Sequence, residues 1–442
     1  MKLSVIQQTL GELQMHPSKT LGQNFLHDQN LAAWIVAQLD LTPQDHLVEV
    51  GPGLGALTEY AIEKCGSATL IEKDGRLAAY LKERFGDRAE VVHQDALEFD
   101  VRTLFPKGPI KLLGNLPYYI TSPLIFQFIQ EPSPIARMVL TVQNEFAERL
   151  AAQPRTKAYG ALTLIIQRQW IVKSLRKLPG SVFMPAPNVE SGVISLSPRP
   201  PGEMPDCDGD LFNRLVKQGF SQRRKQLRKM LVDHVEDWPA FAAKLGVNET
   251  VRAEELGLEQ WIALTNQIRP TSATQAQDVH GEIFDVVDEK DLPIRTASRH
   301  DVHTGNLLHR AVHIFVFNHK GELFLQKRSR WKDAHPSRWD SSAAGHVNAG
   351  DDYASTASRE VEEELGVQAP VQLIGKIDAC ENTGWEFVQL FRAEHEGPFI
   401  LPRAEIETGG FFPVEIIARW IAERPQDFAT GFLECWRKTP GL

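Results

Sequence analysis

A glycine-rich turn behind a short apolar run most constrains the fold of this chain. The run Leu47-Val48-Glu49-Val50 has the composition of a buried strand, and Gly51-Pro52-Gly53-Leu54-Gly55 follows it directly. Glycines at a strand exit let the backbone pass close to a ligand where a β-carbon would clash. The helical pattern from Ala56 onward completes a strand–turn–helix unit. The turn predicts a nucleotide-binding α/β fold but does not identify the ligand.

Further apolar runs between residues 45 and 200 extend this pattern, separated by amphipathic stretches. Strands that alternate with helices predict a mostly parallel sheet covered on both faces, so we expect a Rossmann-like α/β domain over residues 1–200. The predicted strands are His46–Val50, Ser67–Ile71, Glu90–His93, Lys111–Gly114, Met138–Val142 and Val193–Leu196.

The remaining chain divides into three parts. Residues 204–268 carry apolar residues at helical spacing, which predicts a small all-helical subdomain. Residues 269–280 are polar and aperiodic, as expected of a linker. From residue 281 to residue 442 alternating strands surround one strong helix near 353–365. We therefore expect a second, separate α/β/α domain.

Composition excludes several classes of protein. The chain has 442 residues, 42% of them hydrophobic, yet it contains no apolar run of 18 residues, so no membrane span or membrane partner is expected. Its start lacks the apolar core of a signal peptide. The four cysteines are far apart, which argues against a disulfide framework or a structural zinc site. We expect a cytoplasmic protein.

The net charge of −9 is unevenly distributed. Residues 1–270 hold 30 basic and 30 acidic side chains, whereas residues 271–442 hold 18 and 27. Within the neutral part, residues 149–199 carry eight basic residues against one acid, and residues 211–230 carry seven against none. Two such stripes predict contact with a polyanion. The candidate phosphate-binding residues are Arg223, Arg224, Lys225 and Arg228.

Three further strand ends carry polar side chains. Glu72 ends the second predicted strand, where a carboxylate can accept both hydroxyls of a ribose, and Asp95 follows the third. The fourth strand delivers Asn115-Leu116-Pro117-Tyr118. The amide oxygen of Asn115 and nearby backbone carbonyls can accept the N–H groups of an adenine N6, and the Tyr118 ring can stack on the base. The glycine turn alone fits nicotinamide binding equally well, but the whole order of strand ends favours methyl transfer to adenine.

Residues 16–268 resemble the ribosomal RNA adenine N6,N6-dimethyltransferases of the small subunit. The resemblance implies S-adenosylmethionine as donor and two adjacent adenines near the 3′ end of small-subunit rRNA as acceptors, with the rRNA or a subunit precursor as partner. It implies donor binding by Asn24, Leu26, Gly51, Glu72, Asp95 and Asn115, and stacking of the target base between Tyr118 and Phe183. The segments that carry it are Leu21–Leu26, Glu49–Thr58, Glu72, Gln94–Leu97, Asn115–Tyr119, Val142–Glu145 and Phe183–Val193.

This mechanism needs alignment more than acid–base chemistry. An adenine N6 is a poor nucleophile because its lone pair is delocalised into the ring. Accepting its protons at Asn115 favours a pyramidal nitrogen that can face the methyl group, so positioning supplies most of the catalysis. The base must first leave its stack, and aromatic side chains offset part of that cost. Gln94 and Tyr119 depart from the usual residues of the family without removing a required group.

A Nudix signature lies in the acidic second domain. Gly345, Asp351 and the run Arg359-Glu360-Val361-Glu362-Glu363-Glu364-Leu365-Gly366 have its spacing. On a helix, Glu360, Glu363 and Glu364 share one face, where three carboxylates would bind Mg²⁺ or Mn²⁺. The cation would bridge a diphosphate compound and activate water. Asp351 stands where glutamate is usual, which shortens the reach toward Arg359.

The substrate of this domain stays open. Five segments around the signature resemble the Nudix branch that includes isopentenyl-diphosphate isomerases: His303, Leu308-His309-Arg310-Ala311, Phe317-Asn318, Trp339-Asp340 and Gly345-His346. In those isomerases a cysteine lies just before the Gly-His pair, and here that place is Ala344. We therefore favour diphosphate hydrolysis over an isomerase-like activity. A further alternative is a ribosome-assembly factor whose Nudix module only binds a ligand. A mitochondrial-type transcription factor with this methylase fold is disfavoured, because no targeting segment is evident.

Overall fold

The computed structural model describes residues 1–18, 21–200, 202–269 and 281–439. They fall into two compact units that divide after Thr271. The predicted linker, residues 269–280, lies outside the described residues except for Arg269. No helix among the described residues is long and apolar enough to cross a membrane.

The first unit is built on a seven-stranded sheet with the order β4-β3-β2-β5-β6-β9-β7. Strands β2 to β6 pair in parallel, and β9 pairs antiparallel with both β6 and β7. A separate antiparallel pair joins β1 to β8. The strands are β1 Phe25–Leu26, β2 His46–Val50, β3 Ser67–Glu72, β4 Glu90–His93, β5 Ile110–Asn115, β6 Ile135–Gln143, β7 Trp170–Leu178, β8 Phe183–Met184 and β9 Ser191–Pro198.

Burial explains why the central strands read as continuous apolar runs. All five residues of β2 are buried, because helices cover both faces of the parallel sheet. The register aligns the strand ends, since Val50 pairs with Ile71 on one side and with Gly114 on the other. The polar residues that follow these strands are therefore delivered to one edge of the sheet. The fold class expected from the sequence is confirmed.

Two helices of this part, α2 and α4, begin at aspartates whose side chains cap free backbone N–H groups. Asp28 accepts from Leu31 N at the start of α2, and Asp74 accepts from Arg76 N and Leu77 N at the start of α4. The helices of this part are α1 Leu3–Glu12, α2 Gln29–Ala37, α3 Thr58–Ala61, α4 Gly75–Phe85, α5 Thr121–Ile129, α6 Asn144–Leu150 and α7 Ala161–Gln167.

The described residues 204–268 contain helices and no strand. Their common core includes Phe212, Leu227 and Trp261, all fully buried. Tyr159 packs into the same core and donates a hydrogen bond to Leu256 O at 2.8 Å, which ties these helices to the sheet-bearing part of the unit. The helices are α8 Gly209–Gly219, α9 Leu227–Met230, α10 Trp238–Leu245 and α11 Leu258–Ile268.

The second unit has its own seven-stranded sheet, in which β12 and β17 pair in parallel over nine residues. A hairpin of β10 and β11 precedes it, and α13 packs on β12 and β15. The elements are β10 Ile283–Val287, β11 Pro293–Ser298, α12 Arg299–Thr304, β12 His309–Phe317, β13 Leu323–Arg328, β14 Trp339–Asp340, β15 Ala343–His346, α13 Tyr353–Leu365, β16 Gln372–Ile377, β17 Glu386–Glu394, β18 Ile406–Phe412, α14 Val414–Glu423 and α15 Thr430–Arg437.

Replacing Gly219 by alanine should destabilise the first unit. A β-carbon there would lie 2.5 Å from Trp261 Cη2 and 3.0 Å from Leu227 Cδ1, both in a filled core. Overpacking costs roughly 1–3 kcal/mol, which exceeds the gain in helix propensity of about 1 kcal/mol. Gly11→Ala is the matched control, because no atom lies within 4 Å of its added β-carbon. Urea unfolding that found Gly219→Ala as stable as Gly11→Ala would contradict this packing argument.

Candidate functional site

A cleft opens in the first unit where the parallel strands end. Ligands of open α/β sheets bind at this edge, beyond the carboxyl ends of the strands. The structure brings all six residues predicted to bind the donor to its wall: Asn24, Leu26, Gly51, Glu72, Asp95 and Asn115. These residues come from five separate segments of the chain, so their convergence depends on the fold and not on sequence proximity.

The glycine turn leaves part of this cleft open. Gly51 has a φ of 64°, in the left-handed region that favours glycine, and no atom lies within 4 Å of the position that its β-carbon would take. A β-carbon on Gly53 would instead lie 3.1 Å from the Phe25 ring. The first glycine therefore keeps space for a ligand, whereas the second allows close packing of the turn against β1.

Two carboxylates of the cleft are held in fixed positions. Glu72 accepts from Gly53 N at 3.1 Å and from Asp74 N at 2.9 Å, and burial raises its pKa. Asp95 accepts from Leu97 N at 3.0 Å and from Lys73 Nζ at 2.6 Å. The hydrogen bond from Lys73 lowers the pKa of Asp95. Burial thus determines the direction of the pKa shift of Glu72, whereas a neighbouring cation determines that of Asp95.

Sequence reasoning missed Glu49 as a functional candidate. Its side chain lines the cleft, is fully buried and accepts a hydrogen bond from Thr58 Oγ1 at 2.6 Å. Burial raises its pKa to about 8, so the carboxyl group is mostly protonated at neutral pH. An acid inside an otherwise apolar strand is the signal that could have revealed it.

The amide of Asn115 is oriented by the backbone of a distant segment. Its Nδ2 donates to Asn24 O at 2.8 Å. No described residue donates a hydrogen bond to its Oδ1, so that oxygen can accept a hydrogen bond from a ligand in the cleft. Pro117 O already accepts from Thr121 Oγ1 and Ile120 N, both at 3.2 Å. The side-chain oxygen is therefore the better acceptor of the two.

In the second unit, α13 presents three glutamates with different surroundings. Glu364 is buried and accepts from Ala344 N and Gln326 Nε2, both at 3.0 Å. Glu360 is also buried and pairs with Arg359 at 2.9 Å. Glu363 is exposed and pairs with the same arginine at 2.8 Å. Burial raises the pKa of Glu360 to about 7 and that of Glu364 to about 8.

The glycine of the Nudix signature has a direct steric reason. A β-carbon on Gly345 would lie 2.2 Å from the Glu360 carboxylate, so only glycine leaves room for that side chain. Asp351 is not among the ion-pair partners of Arg359 in the described chain and raises its pKa only through its charge. Glu405, which sequence reasoning missed, also raises the pKa of Glu360 and Glu364. It pairs with Lys332 at 3.0 Å.

A second group of possible metal ligands lies beside the first. The ligand atoms of His303, His309 and His346 lie within 4.8 Å of one another. His346 Nε2 is 3.0 Å from Glu386 Oε1. His309 Nε2 is buried 3.5 Å from the same oxygen and has no hydrogen-bond partner among the described residues. Imidazole nitrogens with one carboxylate suit a transition metal better than Mg²⁺.

Comparison with known proteins connects these sites to two families. The profile of the family described as "Ribosomal RNA adenine dimethylase" matches residues 15–269, more than half of the chain. The chain belongs to this family. The expected enzyme class, an S-adenosylmethionine-dependent rRNA adenine dimethyltransferase, is thereby confirmed. Residues 307–430 match the NUDIX domain, which confirms the second resemblance at the level of the domain.

Two relatives in sequence agree with the first assignment. "Ribosomal RNA small subunit methyltransferase A" of Prosthecochloris aestuarii is 40% identical over 252 residues, 57% of this chain and 94% of the relative. The protein of the same description from Alkaliphilus metalliredigens is 38% identical over 262 residues, 57% of this chain and 91% of the relative. The crystal structure of the 23S rRNA methyltransferase ErmE has a TM-score of 0.48 and 26% identity, covering 55% of this chain and 99% of that one.

The dimethylase motif residues are only partly assembled at the cleft. Asn115 and Pro117 line it, whereas Leu116, Tyr118 and Phe183 do not. Tyr118 makes a 2.7 Å hydrogen bond through its hydroxyl to Ser191 Oγ. Phe183 is buried in a hydrophobic cluster, so neither face of its ring is free to stack on a base. Stacking between these two rings stays a prediction that requires Phe183 to become exposed.

One predicted RNA-binding residue has a structural role in the fold. Arg223 pairs with Glu254 at 2.6 Å and donates to Lys157 O and Thr156 O at 2.6 and 2.8 Å. Its guanidinium thus already has partners within the protein, and its contact with RNA phosphates stays a prediction. The other predicted residues, Arg224, Lys225 and Arg228, are exposed.

Magnesium binding to the second unit should strengthen as pH rises from 6 to 9. Glu360 and Glu364, with pKa values of about 7 and about 8, must lose protons before they can hold a cation. Each displaced proton changes the affinity by up to about tenfold per pH unit below its pKa. Calorimetric titration of the full chain at several pH values measures this. Glu363→Gln should weaken binding throughout but keep the pH dependence, and an affinity independent of pH would contradict the assignment.

Proposed function

We propose that the first unit transfers methyl groups from S-adenosylmethionine to N6 of two adjacent adenines near the 3′ end of small-subunit rRNA, during ribosome biogenesis. The observation that carries the proposal is the free Oδ1 of Asn115 at the wall of a cleft that also holds the six donor-binding candidates. A transferase of this kind requires a donor site and an N–H acceptor in one cavity, and the cleft supplies both.

The residues of the cleft suit the donor. Gly51 leaves open space at the strand exit, Glu72 presents a fixed carboxylate for ribose hydroxyls, and Asp95 offers an acceptor for an adenine amino group. The bound donor supplies an electrophilic methyl group on a positively charged sulfur. Asp95 Oδ2 accepts a hydrogen bond from Lys73, so that bond would have to break before Oδ2 could accept one from the ligand.

Asn115 is the residue of this chain that orients the adenine N6 that receives the methyl group. Its Nδ2 is held by Asn24 O, so its Oδ1 has a fixed direction from which to accept an N6 proton. That hydrogen bond favours the pyramidal nitrogen needed for attack. The nitrogen–methyl bond forms as the sulfur–methyl bond breaks, and the methylated nitrogen then loses one of its protons to water. Because no strong acid is needed, alignment of the two reacting atoms is the main catalytic contribution.

Asn115→Ala should lower methyl transfer by about a hundredfold or more, because misplacing the reacting nitrogen removes the benefit of alignment. The assay measures methyl incorporation into small-subunit rRNA that lacks the modification. Asn248→Ala is the matched control, since the side chain of this exposed asparagine accepts hydrogen bonds only from Thr250 among the described residues, in a turn far along the chain. Normal methylation by Asn115→Ala would refute the assigned role. Normal rRNA maturation despite lost methylation would instead favour an assembly factor.

We also propose that the exposed cations of residues 224–228 bind rRNA phosphates. Arg224, Lys225 and Arg228 lie on one short segment that begins α9, and the described chain gives none of them an acidic partner. Arg223 holds this segment in place through Glu254 and two carbonyl groups. Cations without acidic partners on an anchored segment suit a polyanion, because little conformational entropy is lost when a segment that is already held in place binds.

Charge reversal of Arg224, Lys225 and Arg228 to glutamate should weaken rRNA binding and flatten its dependence on salt, with donor affinity unchanged. Binding is measured at several salt concentrations, on naked rRNA and on a partly assembled subunit. Arg223→Met tests the structural role of Arg223 apart from any role of charge in RNA binding. It should lower the stability of the helical subdomain more than Arg224→Met does. If the triple variant keeps the parent's salt dependence on both substrates, these residues form only a solvated face.

For the second unit we propose hydrolysis of a diphosphate compound at the α13 carboxylates. The support is the set of three carboxylates on α13, of which those of Glu360 and Glu364 are buried and that of Glu363 is exposed. The charge of Glu405 raises the pKa of both buried carboxyl groups. Buried, mutually repelling carboxylates are stabilised by a bound cation, and hard oxygen ligands suit Mg²⁺ or Mn²⁺. The isomerase-like alternative lacks its thiol at Ala344.

With Mg²⁺, the full chain should release phosphate or a monophosphate from some diphosphate compound. Glu363→Gln should abolish that activity by deleting one ligand charge without disturbing the core, because Glu363 is exposed. Glu362→Gln, on the neighbouring position of the same helix, is the control and should stay active. Chelation followed by addition of Mg²⁺ or Zn²⁺ distinguishes the carboxylate site from the histidine cluster. Metal binding without turnover of any nucleoside, sugar or isoprenoid diphosphate would support a binding module.

A further inference from the structure

Glu49 is an acidic side chain inside the buried strand β2 of the first unit. Only 1% of it is exposed, yet it lines the cleft described above. Its register partners on the neighbouring strands, Leu70 and Leu113, are apolar and fully buried. An acid therefore stands where packing alone would favour an aliphatic side chain, and its position at the wall of the cleft connects it with a ligand.

The register of the sheet places Glu49 between two residues of the proposed site. Glu49 pairs with Leu70 of β3 on one side and with Leu113 of β5 on the other. Residues two apart on a strand face the same side of a sheet, so Glu72 and Asn115, two residues beyond these partners, share the face of Glu49. Neighbouring strands lie about 4.8 Å apart and rise about 3.3 Å per residue, which puts the Cα atom of Glu49 roughly 8 Å from that of either residue.

A ligand that reaches from Glu72 to Asn115 must cross β2, the middle strand of the three. The proposed donor has its ribose at Glu72 and turns its methyl group toward the nitrogen that Asn115 orients. Its sulfur is bonded to both the ribose carbon and that methyl group, so the positive charge is held over the strand that carries Glu49. Opposite charges attract more strongly in such a cleft than in bulk water, because its buried walls have a low dielectric constant.

Among the described residues, Glu49 has one hydrogen-bond donor and no cation as partner. Thr58 Oγ1 donates to its Oε2 at 2.6 Å. A carboxyl group that is buried without a cation keeps its proton, and burial raises the pKa of Glu49 to about 8, with a smaller contribution from the charge of Glu72.

The elements around the cleft supply no free positive charge to Glu49 within the described chain. Each cation there pairs with another acid: the amino terminus of Met1, Lys73, Arg76 and Lys111. The other titratable groups of these elements are acidic: Glu59, Tyr60, Glu72, Asp74 and Asp95. A ligand that brings a positive charge would therefore be the first cation that Glu49 meets.

We propose that Glu49 distinguishes donor from product: it gives up a proton to water when the positively charged donor binds, and takes one back when methyl transfer has left a neutral thioether. The inference rests on the proposed methyl transfer and deepens it. As the methyl group moves, the positive charge passes from sulfur to nitrogen, and the nitrogen loses a proton to water. Two protons leave and one returns to Glu49, so each turnover releases one proton. The ionised form of Glu49 favours S-adenosylmethionine, and its reprotonation leaves S-adenosylhomocysteine without an ionic partner there.

The test measures the affinity of the full chain for S-adenosylmethionine and for S-adenosylhomocysteine between pH 6 and pH 9. A ligand that selects the ionised form of a group binds more tightly as pH rises, up to the pKa of the free group. The preference of the parent for the donor should therefore rise by about tenfold over this range, which corresponds to a fall of one unit in the pKa of Glu49 on donor binding. Calorimetry in two buffers with different heats of ionisation also counts the protons released.

Two variants isolate the contribution of Glu49. Glu49→Gln should lose the pH-dependent preference, because glutamine is neutral throughout and its amide oxygen can still accept from Thr58. Glu59→Gln is the matched control and should keep it, since it removes an exposed charge from the helix that begins at Thr58. The amino group that both ligands carry also titrates in this range, so the difference between parent and Glu49→Gln gives the part that is due to the protein.

Three results would overturn the inference. One is a Glu49→Gln variant that keeps the pH-dependent preference of the parent, and another is a variant that loses affinity for both ligands equally at every pH, as a purely structural role would require. The third needs no variant: a parent that releases no more protons on binding the donor than on binding the product. Failure of the proposed function is distinguishable, because the pattern would then be present while rRNA receives no methyl group. Methylation without the pattern would overturn only the role of Glu49.

Discussion

The removal of carboxylates from water is the constraint on which both sites depend. A buried carboxyl group must be protonated, hydrogen-bonded or paired with a cation, because the charged form is poorly solvated in the interior. The first unit uses hydrogen bonds, since Glu72 accepts from two backbone N–H groups and Glu49 accepts from Thr58. In the second unit, burial and neighbouring carboxylates together raise the pKa of Glu360 and of Glu364. Burial therefore raises carboxyl pKa values in both units, and in the second unit a cation would offset the repulsion between the carboxylates.

This difference also explains the uneven charge of the chain. The first unit is neutral overall, so its exposed cations around residues 224–228 can face a polyanion without a counteracting acidic field. The acidic second half suits cation binding but repels nucleic acid.

Much of the fold follows from short-range patterns in the sequence. The pattern predicts β2 and the helix Tyr353–Leu365 to the residue, because a fully buried strand and a capped amphipathic helix have distinct periodicities. The walls of the cleft are also predictable, since parallel strands end at one edge. Strand β7 is not predicted, because its exposed basic residues obscure the alternation of an edge strand. Strand order and the pairing of β1 with β8 depend on tertiary contacts that no local pattern contains.

The sequence does not reveal which side chains already have partners within the protein. Arg223 reads as one cation in a basic stripe, yet its partner Glu254 lies 31 residues away and two carbonyls complete its coordination. Phe183 reads as a base-stacking ring, yet its pairing with Leu26 places it in a core. Glu405 lies 41 residues beyond Glu364 and joins the carboxylate site only through the fold. In each case the sequence identifies the chemical group, but contacts with residues distant in the chain decide whether that group is free to bind a ligand.

The two proposed reactions use the protein in physically different ways. Methyl transfer needs a hydrogen-bond acceptor, and the Asn115 amide does not titrate, so its orienting function is the same across the neutral pH range. The α13 site needs ionised carboxylates, and its cation competes with protons near pH 7 to 8. An amide fixed by Asn24 O is insensitive to the field around it, whereas two neighbouring carboxylates respond to every nearby charge, including Lys332 and Glu405. The second site is therefore the one whose cation affinity depends on the charges around it, among them the ion pair of Lys332 with Glu405 at 3.0 Å.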